Sequence, residues 1–81
     1  MNMDKNLVVY PISKGDELNV FSSDEATVIK IMDMQGNVVS GPVYPNNKHS
    51  VLNIKTLPSA TYIVEATFQS SKTSRSLFVK L

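Results

Sequence analysis

The fold is decided by the stretch LPSATYIVEATF, residues 57–68, in which a turn leads directly into a strand. Inward and outward sides alternate along it, with one face carrying Tyr62, Val64, Ala66 and Phe68 and the other Thr61, Ile63, Glu65 and Thr67. A period of two residues is that of a strand with one buried and one solvated face. A Leu-Pro turn before an inward tyrosine is also what a tyrosine corner requires, because the ring fills the end of the sheet and the hydroxyl bonds back to the preceding backbone. We therefore interpret Leu57, Pro58, Tyr62 and Val64 as structural residues first.

Similar short apolar segments, separated by turn residues, occur along the whole chain. They predict strands at 6–10, 17–21, 27–33, 37–43, 50–55, 61–69 and 73–80, with breaks that include Ser22 to Glu25. A helix over 26–34 is the local alternative, but the β-branched run Thr27 to Ile29 and the alternation around Lys30 favour a strand. In DMQGNVV, Gly36 supplies the positive φ of a hairpin turn. The sequence thus predicts an all-β fold, an immunoglobulin-like β-sandwich of about seven antiparallel strands in two sheets.

Length and composition limit what such a domain can contain. By surface scaling, 81 residues bury on the order of 8,000 Å² on folding, which leaves little material for an internal pocket. The chain has no Cys, so it has neither a disulfide framework nor a thiolate metal site. The apolar run in MNMDKNLVVY is too short for a signal-peptide core or a membrane span. We interpret residues 1–5 as a linker remnant or an expression-derived start, and residues 6–81 as one domain.

The charge distribution argues against nucleic acid as a partner. The net charge is +1, but six of the seven acids precede residue 35 and five of the eight Lys and Arg residues follow it. These bases are spread along the chain, and aromatic residues do not alternate with them, as they would in a nucleic-acid surface. A mildly polar solvated surface is the favoured interpretation.

Candidate catalytic residues are few. His49 is the single histidine, and it lies in the polar segment PNNKHS, which we expect to be an exposed loop. The adjacent acids of Asp16-Glu17 and Asp24-Glu25 point apart on an extended chain, so neither pair forms a carboxylate dyad. Phosphate-binding glycine loops, metal-ligand spacings and nucleophile elbows are absent from the sequence. We expect a protein that is not an enzyme and needs no cofactor or metal. A weaker alternative is that Tyr10 and Tyr44 form an aromatic platform for carbohydrate.

The order of the landmarks is more informative than any one of them. The chain contains NLVVYPISKGDELNV, then ATVIKIMDMQGNVV, then LNIKTLPSATYIVEA, and closes with SRSLFVKL. From Leu7 to Leu81 this order resembles the type A C-terminal sorting domain of proteins exported by the type IX (Por) secretion system of Bacteroidetes. Positions that match the family's motifs, and that the resemblance implies for recognition, are Tyr10, Pro11, Asp33, Gly36, Leu57, Pro58, Tyr62, Val64, Phe78, Val79, Lys80 and Leu81.

The chain also departs from the family pattern. Ile12 and Ser13 replace Asn and Pro in the opening Tyr-Pro-Asn-Pro element, and Ala60 stands where the L-P-x-G-x-Y-x-V element usually has Gly. Gly15 is offset by one residue from the G-x-L-x-V continuation, which Leu18 and Val20 match, and the closing basic position matches loosely at residue 75. These departures concern recognition of the first turn rather than the sandwich.

The resemblance implies a transport role. A domain of this family follows a larger cargo protein that enters the periplasm by the general secretory route. It is recognised by the outer-membrane translocon and removed by a sortase-like protease, and the cargo is released or attached to the cell surface. The implied partners are those components and the covalent upstream cargo, with no nucleic acid and no membrane insertion. We expect the last strand, 73–81, to carry recognition, because exposed edge strands are natural docking features.

Two alternatives remain open on the sequence. A fibronectin III-like spacer or adhesion module would share the tyrosine corner, although the Trp usual in that fold is missing. A glycan-binding module of a surface protein would respond to added polysaccharide and would have no effect in a transport assay.

Overall fold

The described part of the chain is built from strands and turns. The computed structural model describes residues 7–11 and 16–81. Its six strands are β1 (Leu7–Pro11), β2 (Glu17–Met32), β3 (Val38–Val43), β4 (Asn47–Asn53), β5 (Ala60–Phe68) and β6 (Thr73–Lys80). Within these ranges the all-β prediction is confirmed. The described residues contain no helix long and apolar enough to span a bilayer. The predictions for residues 1–5, Ile12, Ser13 and Gly15 fall outside the described residues.

The longest strand corrects one prediction. β2 continues through Ser22 to Glu25, where we expected a turn between strands at 17–21 and 27–33. The buried positions change sides within this one strand because of a β-bulge, since between Ala26 and Val28 the pairing advances two residues on β2 and only one on β5. The extra residue moves every later side chain to the other face of the strand. A single bent strand therefore has the sequence pattern of two strands, with buried side chains at Leu18, Val20, Ile29 and Ile31.

All six strands belong to one curled antiparallel sheet with β2 at its centre. β1 and β4 flank the first half of β2, and β5 and β3 flank its second half. β3 and β4 follow one another along the same edge of β2 and are joined by residues 44–46. β6 pairs with β5 and also contacts β1. The curl thus brings together the first and last strands of the path β1-β2-β5-β6.

The bend in β2 places both of its termini at one end of the molecule. There Glu17 pairs with Asn53, Met32 pairs with Ile63, and segment 54–59 connects β4 to β5. We call this the corner end. The bend 22–25, the loop 44–46 and the turn 69–72 lie at the opposite end, as does Leu7, which pairs with Ser22.

The core lies between the two halves of the curled sheet. The inward face of β5 is buried along its whole length, which confirms the alternation predicted from residues 61–68. The cluster that fills the interior consists of Leu7, Leu18, Val20, Ala26, Ile29, Ile31, Leu52, Ile54, Leu57, Tyr62, Val64, Ala66, Phe68 and Phe78. The seven-strand, two-sheet prediction is not confirmed, because the described residues form six strands that are hydrogen-bonded into one sheet.

Both glycines in the described part of the chain adopt the left-handed conformation. Gly36 has φ +92° in the turn between β2 and β3, as the sequence predicted. Gly41 has φ +89° inside β3, where the register against β2 shifts. A Cβ atom on Gly41 would lie 3.1 Å from the carbonyl oxygen of Ile29. Gly41 is therefore required both by its backbone conformation and by the close approach of the neighbouring strand.

Candidate recognition site

Most of the predicted recognition positions come together at the corner end. Pro11 pairs with Leu18 near the start of β2, and the N–H of Ile54 donates to the carbonyl of Asp16 over 2.8 Å. A shallow groove between the turn that begins at Asp33 and the start of β5 lines this end as well. Segments more than 40 residues apart in the chain thus form one continuous surface. The side chains of Tyr10 and Pro11 lie outside the described part of the structure.

The tyrosine corner is present as predicted. The Tyr62 hydroxyl donates to the carbonyl of Pro58 over 2.5 Å, and the Tyr62 ring is buried. The same ring stacks on Phe78 of β6, with ring centroids 5.4 Å apart and an interplanar angle of 27°. Leu57 is buried beneath the turn. The Leu-Pro-x-x-x-Tyr element therefore holds the turn to β5 and also fixes the aromatic residue of the last strand.

Lys80 binds the same turn from the other side. Its Nζ atom donates to the carbonyl oxygens of Ile54, Leu57 and Lys55, at 2.5, 2.7 and 3.1 Å. An ammonium group has three donors and no acceptor, so three carbonyls satisfy it completely. The ammonium of Lys80 thus closes the corner internally, and it joins the end of the last strand to the loop between β4 and β5.

The turn of residues 33–37 is held by the Asp33 carboxylate. Its Oδ1 atom accepts from the backbone N–H groups of Gln35 and Asn37, each at 2.9 Å, and its Oδ2 atom accepts from the Asn37 side-chain amide at 3.1 Å. The backbone N–H of Asn37, followed by its side-chain amide, holds the pKa of Asp33 below its ordinary value of 3.8. Asp33 and Gly36 are therefore explained by turn geometry, since one supplies the acceptors and the other the positive φ.

The last strand presents apolar side chains outward. Phe78 points into the core, whereas the side chains of Leu77 and Val79 are 58% and 53% exposed. Leu81 follows the strand and is almost completely exposed. The end of this strand is apolar on both sides, so alternation alone does not decide its facing, and the pairing of Tyr62 with Phe78 does. The buried partner of Tyr62 sets every second residue of β6 inward, so Leu77 and Val79 face out.

A charged row crosses the outer face of the sheet beside these residues. Lys30 of β2, Glu65 of β5 and Arg75 of β6 are direct neighbours across the strands. The Glu65 carboxylate lies 2.8 Å from Arg75 Nε and 3.3 Å from Lys30 Nζ. Burial by itself raises the pKa of Glu65, but the hydrogen bonds and charges of Arg75 and Lys30 outweigh it and hold the pKa below 4.5. Glu65 was predicted on the solvated face, yet it is buried beneath its two basic partners.

His49 lies in β4, not in the loop that we expected. It is exposed, as predicted, and its ring stacks on Phe21 at a centroid distance of 4.3 Å and an interplanar angle of 5°. Its Nε2 atom is 2.9 Å from Oδ1 of Asn19. Two residues of the neighbouring strand thus hold the imidazole against the outer face of the sheet. The described residues contain no group of three or more His, Cys, Asp or Glu side chains able to bind a metal ion.

The sequence missed the charged row and the apolar residues beside it. A signal was present, because Ile63 lies on the same outward parity as Glu65 in the stretch 61–69. An apolar residue on a solvated face indicates either an exposed patch or a neighbour that covers it. The partners Lys30 and Arg75, however, are far from Glu65 in sequence or in another strand, and only the sheet register identifies them.

The fold and the site together define a small β-domain whose motif residues build a surface instead of a pocket. A comparison with known families matches residues 8–80 to the model described as the secretion system C-terminal sorting domain. The chain belongs to this family, whose domains are sorting signals for type IX secretion in Bacteroidetes and are not known as enzymes. Among curated proteins, no significant match is found.

Proposed function

We propose that residues 6–81 act as one unit that outer-membrane components of the type IX system recognise through the corner end. The observation that carries this proposal is the convergence of Leu57, Pro58, Tyr62, Phe78 and Lys80 into one bonded cluster. These residues come from two segments, 57–62 and 78–80, that only the fold brings together, so the complete cluster exists only when the domain is folded. A translocon that binds this surface reads a folded domain in the periplasm, not a linear peptide.

The position of the first strand also supports recognition through the corner end. Leu7 lies at the end opposite the corner, because it pairs with Ser22 at the bend of β2. A cargo joined upstream of Leu7 therefore meets the domain at the opposite end and leaves the corner end accessible. We propose that a sortase-like protease cuts at the junction with the cargo, away from the recognition surface, and the position of Leu7 supports this proposal. The cargo then reaches the medium or the outer-membrane surface.

The predicted recognition residues have two different roles in this surface, depending on whether their side chains are bonded within the corner or exposed. The side chains of Tyr62 and Lys80 are engaged in the corner, so we propose that they act by shaping it. The outward residues Leu77, Val79 and Leu81 have the exposure that direct contact with a translocon requires. Recognition by the last strand therefore depends on its outer side chains, while its inner ones hold the strand in place.

The test is a fusion assay. A fluorescent reporter with a general secretory signal at its front and these 81 residues at its back is expressed in a Bacteroidetes host with and without a working type IX system. We expect the reporter at the surface or in the medium only in the competent host. Reporter held in the periplasm of both hosts, with the domain shown to be folded, would favour a fibronectin-like spacer or adhesion module instead.

Point variants are better than a deletion for locating the determinant. Removing residues 77–81 would also remove the buried ring of Phe78 and the three hydrogen bonds of Lys80, so loss of export would not separate recognition from unfolding. Replacing Val79 by Ser and deleting Leu81 leaves both anchors in place. We expect these changes to reduce export while the melting temperature stays within a few degrees of the parent, since surface changes typically cost under about 0.5 kcal/mol.

A further inference from the structure

One exposed apolar feature extends from the corner end onto the outer face of the sheet. The side chains of Val38, Met32, Ile63 and Leu77 are direct cross-strand neighbours on β3, β2, β5 and β6. Directly opposed residues in an antiparallel sheet project from the same face. The four therefore form one line across four strands, which we call the outer row. Val38 and Leu77 at its two ends are 48% and 58% exposed, whereas Ile63 is half-buried and Met32 is buried.

The outer row continues toward the corner end. Val79 pairs with Thr61, one step nearer to that end, and the exposed Met34 lines the groove with Thr61. The exposed apolar area is therefore formed by Leu77, Val79 and the half-buried Ile63. A group of neighbouring exposed apolar residues on a small domain marks an interaction site more often than a chance arrangement, since single scattered residues are the normal case. Here the area adjoins the surface that the proposed function assigns to recognition.

The charged row borders the outer row on the side away from the corner end. It gives this part of the surface a net positive charge. Lys30, Glu65 and Arg75 lie one cross-strand row away, which is two residues or about 7 Å along each strand. The row holds two cations and one carboxylate, and the carboxylate of Glu65 is the buried member. Arg75 uses its Nε for Glu65, while its side chain is 63% exposed. A guanidinium group has five N–H donors, so the exposed part of this one suits a second carboxylate.

We propose that the outer row and Arg75 together bind a protein partner that presents apolar side chains beside a carboxylate. This inference deepens the proposed function and rests on it, because it names the chemistry by which the export machinery would contact the domain. Apolar burial supplies the affinity of such a contact, and the Arg75 guanidinium sets its orientation and selects against basic surfaces. The partner surface is acidic near its apolar centre.

The test uses opposite charges at one exposed position. Leu77→Glu and Leu77→Lys are placed in the reporter fusion, with Val51→Glu and Val51→Lys as matched controls, because Val51 is 50% exposed on the outward side of β4. We expect Leu77→Glu to slow export about tenfold and Leu77→Lys roughly threefold, since an acidic partner repels only the first. The Val51 variants should export as the parent does.

The order of the two Leu77 variants separates binding from folding. The neighbouring row is net positive, so the domain's own electrostatics favour Glu over Lys at position 77. A purely structural effect would therefore give the reverse order, both in export and in the melting temperature of the purified domain. Replacing Arg75 by Gln should also slow export, whereas Lys72→Gln at the exposed turn of the opposite end should not.

The outcomes distinguish this inference from the proposed function. Failure of the parent fusion to be exported would refute the function itself. If the parent fusion is exported and the Leu77 variants are exported equally well, only the role of the outer row is refuted. If Leu77→Glu and Leu77→Lys lose export equally, or if Leu77→Glu is exported better, the acidic character of the partner is refuted. Two purified-domain measurements complete the test: dimers that Leu77→Glu dissociates, or binding to anionic phospholipid vesicles that Arg75→Gln abolishes, would assign the surface to a second copy or to lipid and overturn the proposal.

Discussion

Replacing Tyr62 by Phe isolates the contribution of the tyrosine corner. The change deletes one hydroxyl, which donates to the carbonyl of Pro58, and keeps the ring that stacks on Phe78. The buried apolar contact is therefore preserved, and only the hydrogen bond is lost. A net hydrogen bond in a protein contributes about 1 kcal/mol. For a domain of 60–100 residues, this corresponds to a melting temperature lower by about 4–8 °C.

The expected decrease in the free energy of unfolding is large relative to the total stability of the domain. A chain of this length is expected to be stable by only about 4–12 kcal/mol. Thermal unfolding followed by circular dichroism, together with urea titration, measures the difference between the parent and Tyr62→Phe. The matched control is Tyr44→Phe, which removes the same hydroxyl from a side chain that is 67% exposed in the loop between β3 and β4. We expect the control to leave the free energy of unfolding unchanged within about 0.5 kcal/mol.

One result would refute the reasoning. If Tyr62→Phe were as stable as Tyr44→Phe, the bond to Pro58 would not hold the turn, and the Leu-Pro-x-x-x-Tyr element would need another explanation. If the variant were destabilised but fully exported, the corner would matter for stability and not for recognition.

Three further changes test other parts of the structure. Lys80→Met should lower the free energy of unfolding by about 2 kcal/mol in urea titration, since hydrogen bonds from a charged group contribute about 1.5–3 kcal/mol, whereas exposed Lys72→Met should be neutral. Gly41→Ala should cost more than Gly36→Ala by thermal unfolding, because both have positive φ but only the first Cβ would press on a neighbouring strand; equal costs would exclude that contact. The folded pKa of Glu65 is depressed, so its contribution to stability is present above pH 4.5 and is lost as the pH falls through the folded value. Glu65→Gln should therefore be less stable than the parent at neutral pH, and the difference should shrink in urea titrations at lower pH; a constant difference would contradict the ion pairing.

The sequence alone determined the local features of this protein. Alternation along 61–68 predicted which side of β5 is buried, the spacing of Pro58 and Tyr62 predicted the corner, and Gly36 predicted the turn after β2. Each of these depends on residues within a few positions of one another, where strand period, turn conformation and hydrogen-bond reach leave few solutions. The order of the same motifs was sufficient to indicate the family, which the comparison over residues 8–80 shows.

The tertiary structure decided whatever depends on register between distant strands. The pattern of buried residues in β2 predicts two strands, but the structure has one bent strand with a bulge after Ala26. Buried positions change sides at a bulge as they can at a break between two strands, so the pattern alone does not distinguish the two cases. Only the pairing of β5 with β6 turns Leu77 outward and brings Arg75 to Glu65, and only the closing of the corner brings the Lys80 ammonium to three carbonyls of another loop. Such contacts join residues 10 to 26 positions apart, and their partners are chosen by the packing of the whole core.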